Sequence, residues 1–162
     1  MNKTLFYSFF IPVIILLGCN SEPANKNEKV SEEDVSVIEN LTFFNQEEGL
    51  ASLKTNCYSC HNPQSTSHDQ MLAPPLAGIK FKYQNHYPER SEFIIKMSNF
   101  VHSPTTENAV MKGPVRHFGL MPKGPLELNE IRKIVAFIYD NKMDVPEWFN
   151  DHFEEQHGKK WN

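Results

Sequence analysis

Cysteine is scarce in this sequence, with three among 162 residues. Two of them, Cys57 and Cys60, form the chain's one Cys-x-x-Cys pair, and no histidine pair of zinc-finger type lies at a suitable distance from it. Because a structural zinc site usually needs four protein ligands, zinc is a poor candidate for this pair. The sequence also lacks sustained period-two alternation, so the βαβ context of a thioredoxin-like redox pair is missing. The two cysteines are therefore expected to serve a role other than zinc binding or thioredoxin-like redox chemistry.

Excess positive charge is a second absence. Lysine and arginine together number 16 against 20 acidic residues, which gives a net charge of −4 at pH 7. A mildly acidic chain is a poor binder of nucleic acid, so no nucleic-acid partner is expected. The sequence also shows no internal repeat, no second domain, and no catalytic acid–base or nucleophile constellation.

A long hydrophobic run is lacking too. The apolar stretch from Leu5 to Gly18 is shorter than the roughly 20 residues that a membrane-spanning helix needs. It follows a charged start and has the length of a signal peptide, which we place at residues 1–18. The stretch ends in L-L-G-C, which resembles the lipobox of bacterial lipoproteins and implies cleavage before Cys19 and acylation of that residue. A plain secretory signal and an uncleaved anchor are the alternatives, and each places the remaining chain outside the cytoplasm.

Residues 19–43 are rich in serine, glutamate, asparagine and lysine and poor in aromatic side chains. Such a segment buries too little apolar surface to offset the entropy lost on ordering. We therefore predict a flexible, acidic tether between Cys19 and a folded domain at residues 44–143. Residues 144–162 form an amphipathic C-terminal tail, which docks on the domain, contacts a partner or is partly disordered.

The Cys-x-x-Cys pair is followed at once by a histidine in the stretch N-C-Y-S-C-H-N-P, residues 56–63. Cys-x-x-Cys-His is the attachment signature of c-type haem, in which the two sulfurs form thioethers with the vinyl groups and the histidine binds iron. With Cys57 and Cys60 as the thioether residues and His61 as the proximal ligand, the sequence predicts one covalently bound haem c.

The second axial position of such an iron takes methionine or histidine, or stays open. Met97 belongs to an apolar stripe with helical spacing and fits a core position. Met121 lies in F-G-L-M-P-K-G-P, whose glycines and prolines prevent regular structure. Because a loop can aim a thioether at a metal, Met121 is the predicted distal ligand. Met111, His117 and an open position are the alternatives.

Three stretches resemble, in order, segments of class I cytochromes c. E-G-L-A-S-L-K-T-N-C carries a glycine and a leucine where that family's first helix has a glycine and a bulky residue. A-P-P-L-A-G-I is similar to the family's proline loop, and L-M-P-K-G-P-L-E-L-N-E-I-R-K-I-V-A-F-I to its methionine loop and C-terminal helix. The resemblance implies that Pro74, Pro75 and Leu76 contact the haem. It also implies that a carbonyl from Pro74 or a neighbour orients His61.

The residues by themselves also predict an all-α domain, and the resemblance implies a cytochrome c-like fold of about three to five helices with long loops around one haem. The first helix is expected over residues 45–56. A second is expected to start at Pro88 or Ser91 and to end before Ser103-Pro104. The last is predicted to have Asn129 as its N-cap and one apolar face, formed by Ile131, Ile134, Val135 and Ile138.

An iron with both axial positions filled by protein has no open site for a substrate, which suits one-electron transfer rather than catalysis. The resemblances therefore imply a monomeric electron carrier, anchored by lipid to a bacterial membrane and facing the periplasm. Its expected partners are redox proteins, either a membrane oxidase or reductase or a periplasmic enzyme. Two alternatives are a haem subunit of an oxidase or reductase complex, and a gas-binding or catalytic haem protein with a labile distal ligand.

Overall fold

The computed structural model describes residues 46–161 together with Ser36 and Ile38. Residues 1–18, Cys19 and most of the predicted tether therefore lie outside the described residues. The described part is all-α, with no β-strand, which confirms the predicted class. It contains six α-helices, one more than the largest number expected: α1 Gln46–Asn56, α2 Leu76–His86, α3 Arg90–His102, α4 Lys112–Phe118, α5 Leu128–Asp140 and α6 Phe149–His157. A short 3-10 turn occupies His68–Gln70.

Three of these helices were predicted from the sequence, with small differences at their ends. Helix α3 begins at Arg90, between the two expected starts, and ends at His102, directly before Ser103-Pro104. The N-cap prediction for α5 was wrong, because the helix begins at Leu128 and Asn129 lies inside its first turn. The carbonyl of Glu127 accepts hydrogen bonds from the N–H groups of Glu130 and Ile131, so the helix starts earlier than the asparagine suggested.

Helices α2 and α4 were not predicted. The sequence contains a signal for α2, because Leu76, Ile79 and Tyr83 repeat with helical spacing and all three are buried. Helix α4 has no buried residue and carries Pro114 in its first turn, where proline is tolerated. Without an apolar stripe against another helix, α4 gives little periodic signal.

Helix α5 is the centre of the packing. Its contact with α3 is the most extensive between helices, and α1 packs on it as well. The C-terminal end of α5 is tied down twice, because Arg90 donates two hydrogen bonds of 2.8 and 2.6 Å to the Asp140 carboxylate and the Lys80 ammonium donates to the carbonyl of Tyr139 at 2.7 Å. The helix is buried well beyond the predicted apolar face, at Ile131, Arg132, Ile134, Val135, Ala136, Phe137 and Ile138.

Two segments outside residues 44–143 also contribute to the core. In α6, Phe149 and Phe153 are each 4% exposed and belong to the main hydrophobic cluster, so the C-terminal segment packs on the other helices. Ile38 is 2% exposed and joins the same cluster, although it falls within the predicted tether. At Ile38 the chain therefore packs against the domain, although a flexible tether was predicted there. No helix in the described part of the chain is long and apolar enough to cross a membrane.

Candidate functional site

The backbone turns tightly directly after α1. The N–H of Cys57 donates to the Leu53 carbonyl at 2.9 Å, which extends the helical pattern by one residue. The N–H groups of Cys60 and His61 then both donate to the Cys57 carbonyl, at 3.2 and 2.9 Å. These local hydrogen bonds bring Cys57, Cys60 and His61 to the wall of one cavity.

The two thiols of this turn are free, with Cys57 half-buried and Cys60 exposed. Burial, and then the neighbouring Cys60, raise the pKa of Cys57 to about 11. A thiol with so high a pKa is protonated at neutral pH and is a poor nucleophile or metal ligand. In the part of the chain that the structure describes, no group of three or more histidine, cysteine or acidic residues is arranged to hold a metal ion. The turn therefore presents two free thiols at the spacing of the haem-attachment motif.

His61 is held in one orientation by the backbone. Its Nδ1–H donates to the Pro74 carbonyl at 2.7 Å. Because a carbonyl can only accept, Nδ1 carries the proton and Nε2 is left with a free lone pair. Burial lowers the pKa of His61, against the opposing effect of this hydrogen bond, so the imidazole is neutral at neutral pH. The hydrogen bond expected from the resemblance is therefore present, in the arrangement that metal-binding histidines use.

The three residues expected to contact the haem lie in two different places. Pro74 and Leu76 line the cavity that His61 also lines. Among the described lining residues Pro75 is missing, and it instead precedes the first turn of α2. The Pro75 carbonyl accepts the N–H of Ile79 at 3.1 Å, so this proline starts the helix.

The cavity has a volume of about 320 Å³ and walls that are almost entirely apolar. Four helices and the loops between them supply the wall, and α5 contributes its predicted apolar face. The residues from these helices are Leu76, Ile79 and Tyr83 of α2, Met97, Phe100 and Val101 of α3, Pro114, Val115 and Phe118 of α4, and Ile131, Ile134, Val135 and Ile138 of α5. Such a cavity suits a large, flat, apolar group.

The methionines divide into two groups. Met71 and Met143 are buried in the protein, at 7% and 4% exposed, and do not reach the described lining of the cavity. Met97, Met111 and Met121 do line it. Met97 is 4% exposed within α3, as expected of a core residue, and its contribution to the cavity wall was not foreseen.

Met121 lies in a loop on the same cavity as His61. The loop follows α4 at Gly119, whose φ of 83° is a backbone conformation that favours glycine. Met121 is half-buried, and it shares the cavity with Met111. His117 is absent from the described lining. That Met121 is the distal ligand stays a prediction. Met111 lines the same cavity and stays the alternative.

Tyr83 is a residue of the site that the sequence analysis missed. It is 2% exposed and lines the cavity, and its hydroxyl has no hydrogen-bond partner among the described residues. Burial, and then Tyr87, raise its pKa. Because an unsatisfied buried hydroxyl costs about 1–3 kcal/mol, Tyr83 points to a polar group on whatever fills the cavity. Haem c, a broad apolar ring with carboxylate side chains, fits both the walls and this hydroxyl.

The comparisons with known proteins agree with this site. A family model described as Cytochrome c matches residues 46–142. No curated protein and no solved structure matches the chain. Members of the matched family carry covalently attached haem c and transfer electrons, and here Cys57, Cys60 and His61 have the required spacing. The helical fold, the haem motif and a family match that spans more than half of the chain show together that this protein belongs to the cytochrome c family.

Proposed function

We propose that this protein is a monohaem c-type cytochrome whose iron is bound by His61 and Met121 and which carries single electrons outside the cytoplasm. One observation carries the proposal: His61, oriented by Pro74, and Met121, placed in a loop, line the same apolar cavity. When bound, the haem supplies an iron that gains and loses one electron.

The residues of the proximal turn retain and orient the cofactor in this proposal. Cys57 and Cys60 hold it through thioethers, which prevents its loss outside the cell membrane. Neutral His61 directs Nε2 to the iron, while Nδ1–H keeps the ring aligned on the Pro74 carbonyl. With Met121 as the second ligand, both axial positions belong to the protein. No position is then open to a substrate, which favours electron transfer over catalysis.

The apolar walls set the energetics of the same site. They exclude water and disfavour an additional charge on the oxidised form, and a thioether sulfur favours ferrous iron. Both effects raise the reduction potential above that of a water-exposed iron with two nitrogen ligands. We therefore expect a carrier that accepts electrons from donors of lower potential.

Met121→Ala tests the ligand assignment, with Met111→Ala as the matched control from another part of the same cavity wall. We expect Met121→Ala to abolish the His/Met-type absorption spectrum and to let carbon monoxide bind the reduced protein readily. Met111→Ala should leave both properties as in the wild type. The reverse result would assign the ligand to Met111, and ready carbon monoxide binding by the wild type would favour a gas-binding haem protein.

We also propose that the chain is a bacterial lipoprotein, cut before Cys19 and held on a membrane that faces the periplasm. The proposal is supported by L-L-G-C at the end of the apolar stretch, since the segment lies outside the described residues. In a bacterial host, the wild type should incorporate labelled fatty acid and remain with the membrane fraction. Once its signal peptide is removed, Cys19→Ser should incorporate no label and should leave the membrane fraction. The anchor would be refuted if neither protein incorporated the label and both fractionated alike.

The proposed partners are redox proteins: a membrane oxidase or reductase, or a periplasmic enzyme that a tethered monomer can reach. Light scattering after size exclusion should show a monomer. Crosslinking in intact cells should capture partners in variable ratio. Co-purification with a large membrane complex at constant stoichiometry would make the protein a subunit of that complex instead.

A further inference from the structure

Three imidazole rings meet where the segment after the haem motif, helix α4 and helix α6 come together. The ring centroid of His68 lies 4.8 Å from that of His152 and 5.7 Å from that of His117. The two pairs of ring planes are tilted by 32° and 37°. The ring of Trp148 packs edge-on against His68, and the two ring centroids are 5.4 Å apart. We refer to His68, His117 and His152 as the histidine junction.

The junction connects the two sides of the haem cavity. His68 opens the 3-10 turn that follows the proximal His61 along the chain. His117 lies in the last turn of α4, and the next residues lead through Gly119 to Met121. His152 belongs to α6, which lies beyond the residues that match the family model. His68 therefore contacts one ring from the helix that leads to Met121 and one ring from a helix outside the family match.

Helix α6 is the firmly attached member of this group, and α4 is not. Phe149 and Phe153 are in the core, and the indole N–H of Trp148 donates to the Ser65 carbonyl at 3.0 Å. Helix α4 has no buried residue, so its position depends on contacts at its surface. The ring contact between His117 and His68 is one of these contacts.

The charged groups around the histidine junction do not cancel the positive charge that its rings carry when they are protonated. The Asp69 carboxylate lies 3.6 Å from Nδ1 of His68 but its side chain is 99% exposed, so water and salt screen it. Within α6, Glu155 raises the pKa of His152 and His157 lowers it. Helix α4 contributes His117 to the junction. Burial, and then His68, lower the pKa of His152. The rings of the junction contact one another directly, at the centroid distances given above.

We propose that the histidine junction positions helix α4 and the Met121 loop while its rings are neutral, and releases them when the rings are protonated. This inference rests on the proposed ligation of iron by Met121. Neutral imidazoles at these distances attract one another as flat, polarisable rings, whereas imidazolium ions at the same distances repel. His68, His117 and His152 are thus positioning residues that act on Met121 through α4.

The direction of the pH dependence follows from proton binding. His152 binds a proton more weakly in the folded protein than in the unfolded chain. The stabilisation that the junction contributes is therefore complete above the ordinary histidine pKa of about 6.5, and it decreases as the pH falls below that value. The Met121 loop should accordingly be held at neutral pH and loosened at mildly acid pH.

The experiment uses the full-length, haem-loaded, oxidised protein, titrated from about pH 8 to about pH 5. It follows the weak long-wavelength absorption band that reports a methionine–ferric iron bond. We expect the wild type to lose this band reversibly below about pH 6.5. His117→Gln and His152→Gln should make the loss of the band depend less on pH and shift its midpoint, because a neutral amide takes up no proton. Both should also weaken the band at neutral pH, because the ring contact is lost. His86→Gln, at an exposed position of α2 outside the junction, should leave it unchanged.

Equal midpoints in all four proteins, or an equal shift in His86→Gln, would overturn the proposal. A wild type without the band at about pH 8 would instead refute the ligation by Met121. In that case amide hydrogen exchange in residues 112–125 decides the inference, after correction for the intrinsic pH dependence of exchange. Protection lost on acidification in the wild type but kept in His117→Gln supports the junction. The same loss in both proteins contradicts it.

Discussion

The two sides of the haem cavity are built in different ways. On the proximal side, His61 is placed by hydrogen bonds to the backbone of Cys57 and Pro74, and every participant lies within one short stretch of chain. On the distal side, Met121 lies in a loop that follows Gly119 and a helix with no buried residue. The placement of His61 thus depends on local geometry. The placement of Met121 depends on how separate elements close over the cavity.

This difference indicates which side should respond first when the protein is perturbed. The proximal turn continues α1, which packs on the central helix α5. The segment that leads to Met121 follows a helix with no buried residue, so it depends on surface contacts. Perturbations that leave the helical frame intact should therefore alter the Met121 side before they alter the His61 side.

Removal of the covalent attachment should have the largest effect. In Cys57→Ser with Cys60→Ser no thioether can form, so we expect no haem to remain with the polypeptide after denaturing electrophoresis and haem staining. Met121→Ala is the matched control from the distal side, and it should keep its covalent haem while its absorption spectrum changes. Covalent haem in the double serine variant would contradict the proximal assignment.

The helical frame should be more sensitive to truncation than the distal helix. Phe93 is 0% exposed, and its ring contacts those of Tyr83 and Tyr139 at centroid distances of 6.0 and 5.0 Å. Phe93→Ala should lower the free energy of unfolding by about 3–5 kcal/mol. Val115→Ala in α4, where the side chain is half-buried, should lower it by about 1 kcal/mol.

Denaturant unfolding of the two haem-loaded variants measures this contrast. A loss in Val115→Ala as large as that in Phe93→Ala would show that α4 is as tightly integrated as the frame. The distinction between the two sides of the cavity would then fail.

The smallest effect should come from the hydrogen bond that attaches α6 to the segment after the haem motif. Trp148→Phe removes the indole donor to the Ser65 carbonyl, and the loss should be about 0.5–1.5 kcal/mol of unfolding free energy. Trp161→Phe is the matched control, because its indole N–H has no partner in the described part of the chain. Chemical unfolding of both variants gives the comparison, and equal losses would mean that the Trp148 hydrogen bond contributes nothing.

Local patterns in the sequence predicted much of the frame. Helix α3 was predicted from apolar spacing and from the stop at Ser103-Pro104, and it ends at His102. The start of α5 was misplaced at Asn129, because the helix begins after Glu127, which makes no capping hydrogen bond with its side chain. Helix α4 was missed because its half-buried side chains line the cavity, which leaves no stripe against a neighbouring helix.

The site shows the same division. Cys57, Cys60 and His61 are adjacent in the sequence, so the chemistry of the motif could be read directly. The role of the Tyr83 hydroxyl could not be predicted in this way. Its lack of a hydrogen-bond partner among the described residues depends on burial by several helices. Ile38 is similar, since an apolar residue in a largely polar segment reveals its place in the core only once the core exists.

The sequence by itself determined the cofactor and predicted its attachment residues and His61 as the proximal ligand, because thioether formation and iron binding need residue types at short, constant spacing. It also determined the helical class, since apolar residues repeat with the period of a helix. The tertiary structure alone decided which methionines reach the cavity, that Tyr83 lines it, and that His117 and His152 both contact His68. These features join residues far apart in the chain, and their distances depend on packing among helices rather than on any local pattern.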